Sequence, residues 1–147
     1  MILNIYIVFF SKHLKDLQDP FWEGMSIEEA IEKTRNDAKN MEKKFYELAV
    51  SGQTSKLNLS DFFEPLSKNK FGPLERDKAK GLLKNSWLRI YAIRVDVNLF
   101  VVSGGAIKLT ETMNDRDHLK LELEKLEMTR NYILDGSDEA LDYVCTT

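Results

Sequence analysis

The residues best suited to chemistry in this chain are cations on a strand-like stretch. From Trp87 to Glu111 the sequence reads WLRIYAIRVDVNLFVVSGGAIKLTE, with Arg89 and Arg94 on its first run and Lys108 just after a Gly-Gly pair. A hairpin that only fills a core needs no such charges. Upstream stand Lys78, Lys80 and Lys84. Residues 56–108 carry ten Lys/Arg against five Asp/Glu, a local balance of +5 in a chain whose net charge is −3. A basic middle on an acidic frame attracts an anion locally while the protein as a whole stays acidic. The usual nucleic-acid footprint is a strongly basic domain, and lysine-rich loops are often simply solvated, so charge alone points only to a local anion site.

Other chemistries are poorly served. Cys145 is the only cysteine, which excludes an intramolecular disulfide and a cysteine-based zinc site and fits a reducing, cytoplasmic setting. His13 and His118 share no ligand spacing. Neither a metal nor a cofactor is expected.

Stepping outward, the hairpin is the clearest strand signal. Trp87–Val95 is rich in β-branched and aromatic residues, Asp96-Val97-Asn98 is a polar break, and Leu99–Ser103 is a second run. Gly104-Gly105 implies a bend or bulge before Ala106–Leu109 resumes the extended pattern. Ser26–Ser51 is the best-specified helix. Ser26 and Glu29 form a capping box, Ile27, Ile31, Thr34, Ala38, Met41, Phe45 and Leu48 form one stripe, and Gly52 stands at the C-terminal cap. A second helix, capped by Asn114 or Asp115, runs to about Leu134 with Leu119, Leu123, Leu126 and Ile133 inward; Leu121 and Met128 flank that stripe. Ser137 caps a short last helix, Asp138–Val144.

Ile2–Phe10 reads as a buried strand, with a buried helix as the alternative, since a short apolar run has no decisive period. It is too short for a membrane span and lacks the basic start of a signal peptide. Asp61–Leu66 is expected to make a helical turn, and the polar, basic stretch from Ser67 to Ser86 carries no regular element. The expected class is α+β, a small, mainly antiparallel sheet with N-terminal and C-terminal helices packed on it. One domain of 147 residues suffices, with residues 1–55 as an N-terminal strand-and-helix extension of a core at 56–147.

The hairpin resembles that of the RelE/HigB superfamily of toxin–antitoxin ribonucleases. That family shows a Tyr-Arg-hydrophobic strand, an acidic turn, a hydrophobic strand, then a glycine followed by cations. Here Leu88-Arg89, Asp96, Gly104-Gly105 and Lys108 stand in that order. The segments FWEGMSIEEAIEK (from residue 21), LRIYAIRVD and GGAIKLTETM are also similar to those of longer, uncharacterised RelE/HigB-like proteins. The likeness covers about a third of the chain in its motifs and most of it in topology.

The resemblance implies metal-independent cleavage of mRNA, often on the ribosome, with the ribose 2′-OH attacking its own phosphate. Cations must then stabilise the charge that builds on the phosphate, and an acid or base must serve the attacking and leaving oxygens. By this likeness Arg89 stabilises the phosphate and Lys108 is a second phosphate contact or the proton donor. Lys78, Lys80 and Lys84 bind RNA, with Arg94 in a secondary place. Tyr91, on the Arg89 face of a regular strand, is able to stack on a base. The partners implied are a small helix-turn-helix antitoxin and the ribosome or its mRNA, with no membrane. Two bland readings stand beside these: Arg89 paired with Glu122, and Tyr91 as a core aromatic. The chain departs from the family in its length, its acidic total and its want of a matching C-terminal Tyr or acid. The alternative function is a non-catalytic protein-binding module of the same fold.

Overall fold

The computed structural model describes Phe10 and residues 24–67, 74–109 and 117–135. The long N-terminal helix, α1, is Ile27–Ser51. It starts where the capping box stands: Glu29 N–H donates to Ser26 Oγ and Ser26 N–H to a Glu29 carboxylate oxygen. Such a cap is worth about 0.5–2 kcal/mol. The Gly52 N–H closes the other end onto the Leu48 carbonyl at 2.9 Å.

A 3-10 turn at Leu59–Asp61 leads into a two-residue strand β1 (Glu64–Pro65), then β2 (Glu75–Lys80), β3 (Leu88–Asp96) and β4 (Leu99–Ile107). The strands lie in the order β1-β2-β3-β4, and every pairing is antiparallel. A closing helix, α2, spans Asp117–Asp135. This is the expected α+β class, with helices before and after the sheet.

The helices cover opposite faces of the sheet. On one, Met41 of α1 packs with Phe63, Ala79 and Ala92; on the other, Leu126 and Ile133 of α2 pack with Tyr91 and Ile93. Alternation along β3 sends its even positions Leu88, Ile90 and Ala92 towards α1 and its odd positions Tyr91 and Ile93 towards α2. A third cluster at the end of the sheet joins Phe10, Ala30, Ile31 and Trp87. There the Trp87 ring lies 5.4 Å from that of Phe10, and its Nε1–H donates to Thr34 Oγ1 at 2.9 Å.

The bulge expected near Gly104-Gly105 is present. Tyr91 pairs with Gly104 and Ala92 with Val102, so Ser103 is the extra residue, and its hydroxyl donates to the Tyr91 carbonyl. Gly105 packs so closely that an added Cβ would come within 2.9 Å of the Arg89 carbonyl.

Three expectations need correction. The basic stretch holds a strand, β2. Its alternation is of charges, with Arg76, Lys78 and Lys80 on the α2 side and Glu75, Asp77 and Ala79 on the α1 side, so a search for alternating apolar residues misses it. The helical turn expected over Asp61–Leu66 gives way to β1 after the 3-10 turn. At Phe10 the backbone is helical, against the expected strand. The rest of Ile2–Phe10, the final helix Asp138–Val144, the α2 caps Asn114 and Asp115, His13 and Cys145 lie outside the described residues.

Both helical stripes also differ by one acid. Asp37 is buried where Ala38 was expected, and Glu122 is buried while Leu121 and Met128 stand exposed. Asp37 is satisfied by the β2–β3 turn: its carboxylate accepts from Leu83 N–H at 3.2 Å and from the Ser86 hydroxyl. Gly81 has no room for a side chain beside that carboxylate.

Candidate anion site

The antiparallel register gathers the cations. Lys80 is the cross-strand neighbour of Arg89, and Lys78 is that of Tyr91. In an antiparallel sheet such partners share a face, so Lys78, Lys80 and Arg89 form a row on the α2 side. Beyond β4, the Lys108 N–H still donates to the Trp87 carbonyl at 2.7 Å, one step past the Leu88–Ile107 pair. Lys80 at the end of β2, Arg89 at the start of β3 and Lys108 just past β4 therefore stand at one end of the sheet. His118 joins them, since its Nε2 lies 3.0 Å from the Ile107 carbonyl and ties the start of α2 to the end of β4. A carbonyl only accepts, so Nε2 carries the proton there.

The strand cations differ in how they are neutralised. Arg76 pairs with Glu127 at 3.2 Å, and Lys78 and Lys80 share Glu64 at 3.8 and 3.1 Å. Arg94 lies against Asp77 and Glu75. Arg89 alone of these five has no carboxylate partner among the described residues. Its Nη1 donates to the Ser86 and Leu88 carbonyls at 2.8 and 2.7 Å. Burial lowers its pKa, and the nearby charges of Tyr91, Glu64 and Asp37 oppose that effect. Among the described residues its Nε and Nη2 donors meet no acceptor, and an arginine already anchored by backbone carbonyls has little freedom left to lose on binding an anion.

The anticipated pair with Glu122 does not form. Glu122 is held by Lys125 of its own helix, and its Oε2 has no hydrogen-bond partner. The glycine at 104 makes room for that oxygen, which would lie 2.2 Å from an added Cβ.

Two proposed RNA contacts are placed otherwise by the structure. Tyr91 is 1% exposed within the α2 cluster and offers no face to a base. Its hydroxyl is pushed up to about 12, by burial first, with Arg89 opposing and Glu122 adding to the rise. Arg94 faces α1, as alternation along β3 requires. It donates to the fully buried Asp77 from Nε and Nη2 at 2.9 and 2.6 Å and to the Ser60 hydroxyl from Nη1 at 2.7 Å, and it lies over the Phe100 ring. Its charge is spent on a buried acid. Lys84 is exposed in the β2–β3 turn, outside the row.

An apolar groove of about 640 Å³ runs on the α1 side between that helix and β4, with Met41, Phe45, Val102 and Ile107 in its walls. It shares Arg89 and His118 with the cationic end but otherwise lies across the sheet from Lys78 and Lys80. Among the described residues no group of three or more His, Cys, Asp or Glu is placed to hold a metal, and no helix is long and apolar enough to cross a membrane.

The sequence pattern did not point to Asp37 or Asp77 as buried acids, and it offered Glu122 only as a partner of Arg89. The one signal for them was position: Asp37 falls one residue from a stripe position, and Asp77 alternates with lysines. Comparisons with protein-family models, characterised proteins and solved structures found no match.

Proposed function

We propose that this chain is an endoribonuclease toxin of the RelE/HigB type, cutting mRNA at a phosphate held by Arg89 and the lysines of β2. The observation that carries the reading is the contrast among the strand cations. Arg89, the position matched to the family's strand arginine, is the one left without a carboxylate among the described residues, and Lys80 is its cross-strand neighbour. The α+β architecture is consistent with a small fold of that kind.

In this reaction the ribose 2′-OH gives up its proton to solvent as its oxygen bonds to phosphorus. The bond from phosphorus to the 5′-oxygen breaks, that oxygen takes up a proton and leaves as a hydroxyl, and a 2′,3′-cyclic phosphate remains. Charge builds on the two non-bridging oxygens. Arg89 meets it with a planar donor pair, and Lys78 and Lys80 supply point charges alongside. Lys108, at the same end of the sheet, is assigned to the leaving oxygen. A separately encoded antitoxin would keep such an activity in check.

A specific observation favours a second reading, a protein-binding module. Leu121, Met128 and Tyr132 form an outward stripe on α2, with Met128 70% and Tyr132 72% exposed. Exposed apolar side chains aligned along one helix face are a feature of interaction sites. The deciding experiment is induced expression followed by mapping of mRNA 5′ ends. Growth arrest with new 5′ ends within translated messages is expected. Folded protein that leaves both growth and message intact refutes the ribonuclease reading and leaves the module.

A further inference from the structure

Glu64 occupies an unusual place in the cationic row. It sits on β1, opposite Lys78, and a single oxygen, Oε1, lies 3.1 Å from Lys80 Nζ and 3.8 Å from Lys78 Nζ. Its charge is also felt at Arg89. One carboxylate thus pairs with both lysines that the β2–β3 register sets beside Arg89, while no other acid pairs with either lysine among the described residues. The carboxylate side chain is half exposed, so it is held by charge rather than by packing. The strand that carries it is two residues long and has only the β2 pairing.

We propose that Glu64 is a resident anion that stands in the phosphate position and competes with an incoming phosphodiester for Lys78 and Lys80. The inference rests on the anion-site reading above and adds the residue that sets its affinity. A carboxylate and a phosphodiester each bring one negative charge, so the exchange is nearly balanced in charge. Exposed ion pairs of this sort are weak, each worth about a 1.4- to fivefold change in an equilibrium, and the carboxylate gives way without unfolding anything. The free protein then carries a partly neutralised site, which limits adventitious binding of small anions. Glu64 is in this sense a specificity residue: a ligand must offer more than one ordinary anionic contact to displace it profitably.

The test is binding of a 2′-O-methylated oligoribonucleotide, which lacks the attacking hydroxyl and cannot be cut, followed by fluorescence anisotropy over a salt series. Glu64→Gln keeps size and removes charge. It should tighten binding by about two- to thirtyfold, the range expected from two weak ion pairs. It should also steepen the salt dependence by about one released counterion, because the bare lysines now hold an ion of their own. Glu47→Gln, on the outer face of α1, controls for net charge and should change neither quantity. Glu64→Asp, whose shorter side chain withdraws the carboxylate from Lys80, should shift binding in the same direction and serves if the Gln variant is unstable. Binding unchanged or weakened in folded Glu64 variants overturns the proposal. Cleavage of unmodified mRNA is scored separately. Tighter binding without cleavage by either protein upholds the resident anion and sinks the ribonuclease, whereas cleavage by wild type with unaltered Glu64→Gln binding does the reverse.

Discussion

Removing Arg89 separates function from stability, and the size of each effect follows from its bonds. Arg89→Ala deletes two hydrogen bonds, to the Ser86 and Leu88 carbonyls. The Leu88 carbonyl keeps the Gly81 N–H at 3.2 Å, so only the Ser86 carbonyl loses its partner, at a partly exposed turn. The folded state should lose about 1–2 kcal/mol, within the 5–15 kcal/mol that a typical domain holds. At the phosphate the loss is a charge-assisted contact, about 1.5–3 kcal/mol, or roughly ten- to a hundredfold at 1.4 kcal/mol per decade. Arg89→Lys keeps the charge without the planar donor pair and should fall between wild type and alanine. The assay pairs denaturant unfolding with oligoribonucleotide binding and cleavage of translated mRNA, all on the same preparations. Alanine and lysine variants that bind and cleave like wild type would refute a phosphate role for Arg89. An activity loss that tracks unfolding across both variants would show that the residue acts through the fold instead.

Three further outcomes follow from the geometry. Arg94→Ala removes the Arg94 pair from the buried Asp77 and should be destabilising in denaturant unfolding, by up to about 3–5 kcal/mol; any loss of RNA binding should disappear once corrected for the unfolded fraction. Gly104→Ala drives a methyl group into Glu122 Oε2 and should destabilise by about 1–3 kcal/mol, as overpacking does, with Glu122→Ala in the same chain recovering part of the loss. Tyr91 titrates near 12 in the folded protein against an ordinary value of 10.0, so the fold favours the neutral phenol. Its contribution to stability is complete below pH 10 and is lost as pH rises through 12. Spectrophotometric titration should show one phenolate forming late, and Tyr91→Phe should abolish that step and flatten the alkaline fall in stability.

Local chemistry determined much of this protein. The capping box at Ser26 and Glu29 depends on residues three apart, and the hairpin at 88–107 on β-branched runs either side of a polar break. Both are short-range signals, readable without knowing what surrounds them. The Gly104-Gly105 bulge was legible too, because glycine in a strand marks a place where a side chain has no room. Strand β2 was not, since a strand built from ERDKAK has no apolar period, and only its neighbours β1 and β3 make it a strand. The acids Asp37, Asp77 and Glu122 look like solvated surface in one dimension. Tertiary structure buries Asp37 and Asp77 because Ser86 and Arg94 arrive from turn and strand to meet them, and it buries Glu122, paired with Lys125 of its own helix, by laying its carboxylate against Gly104. The same pairing decides which cations remain available. Sequence placed Arg89 and Arg94 five residues apart on one strand with equal charge; the register gave Arg94 a buried carboxylate and left Arg89 with backbone carbonyls. An ion pair depends on distances across the fold, and no local pattern carries them.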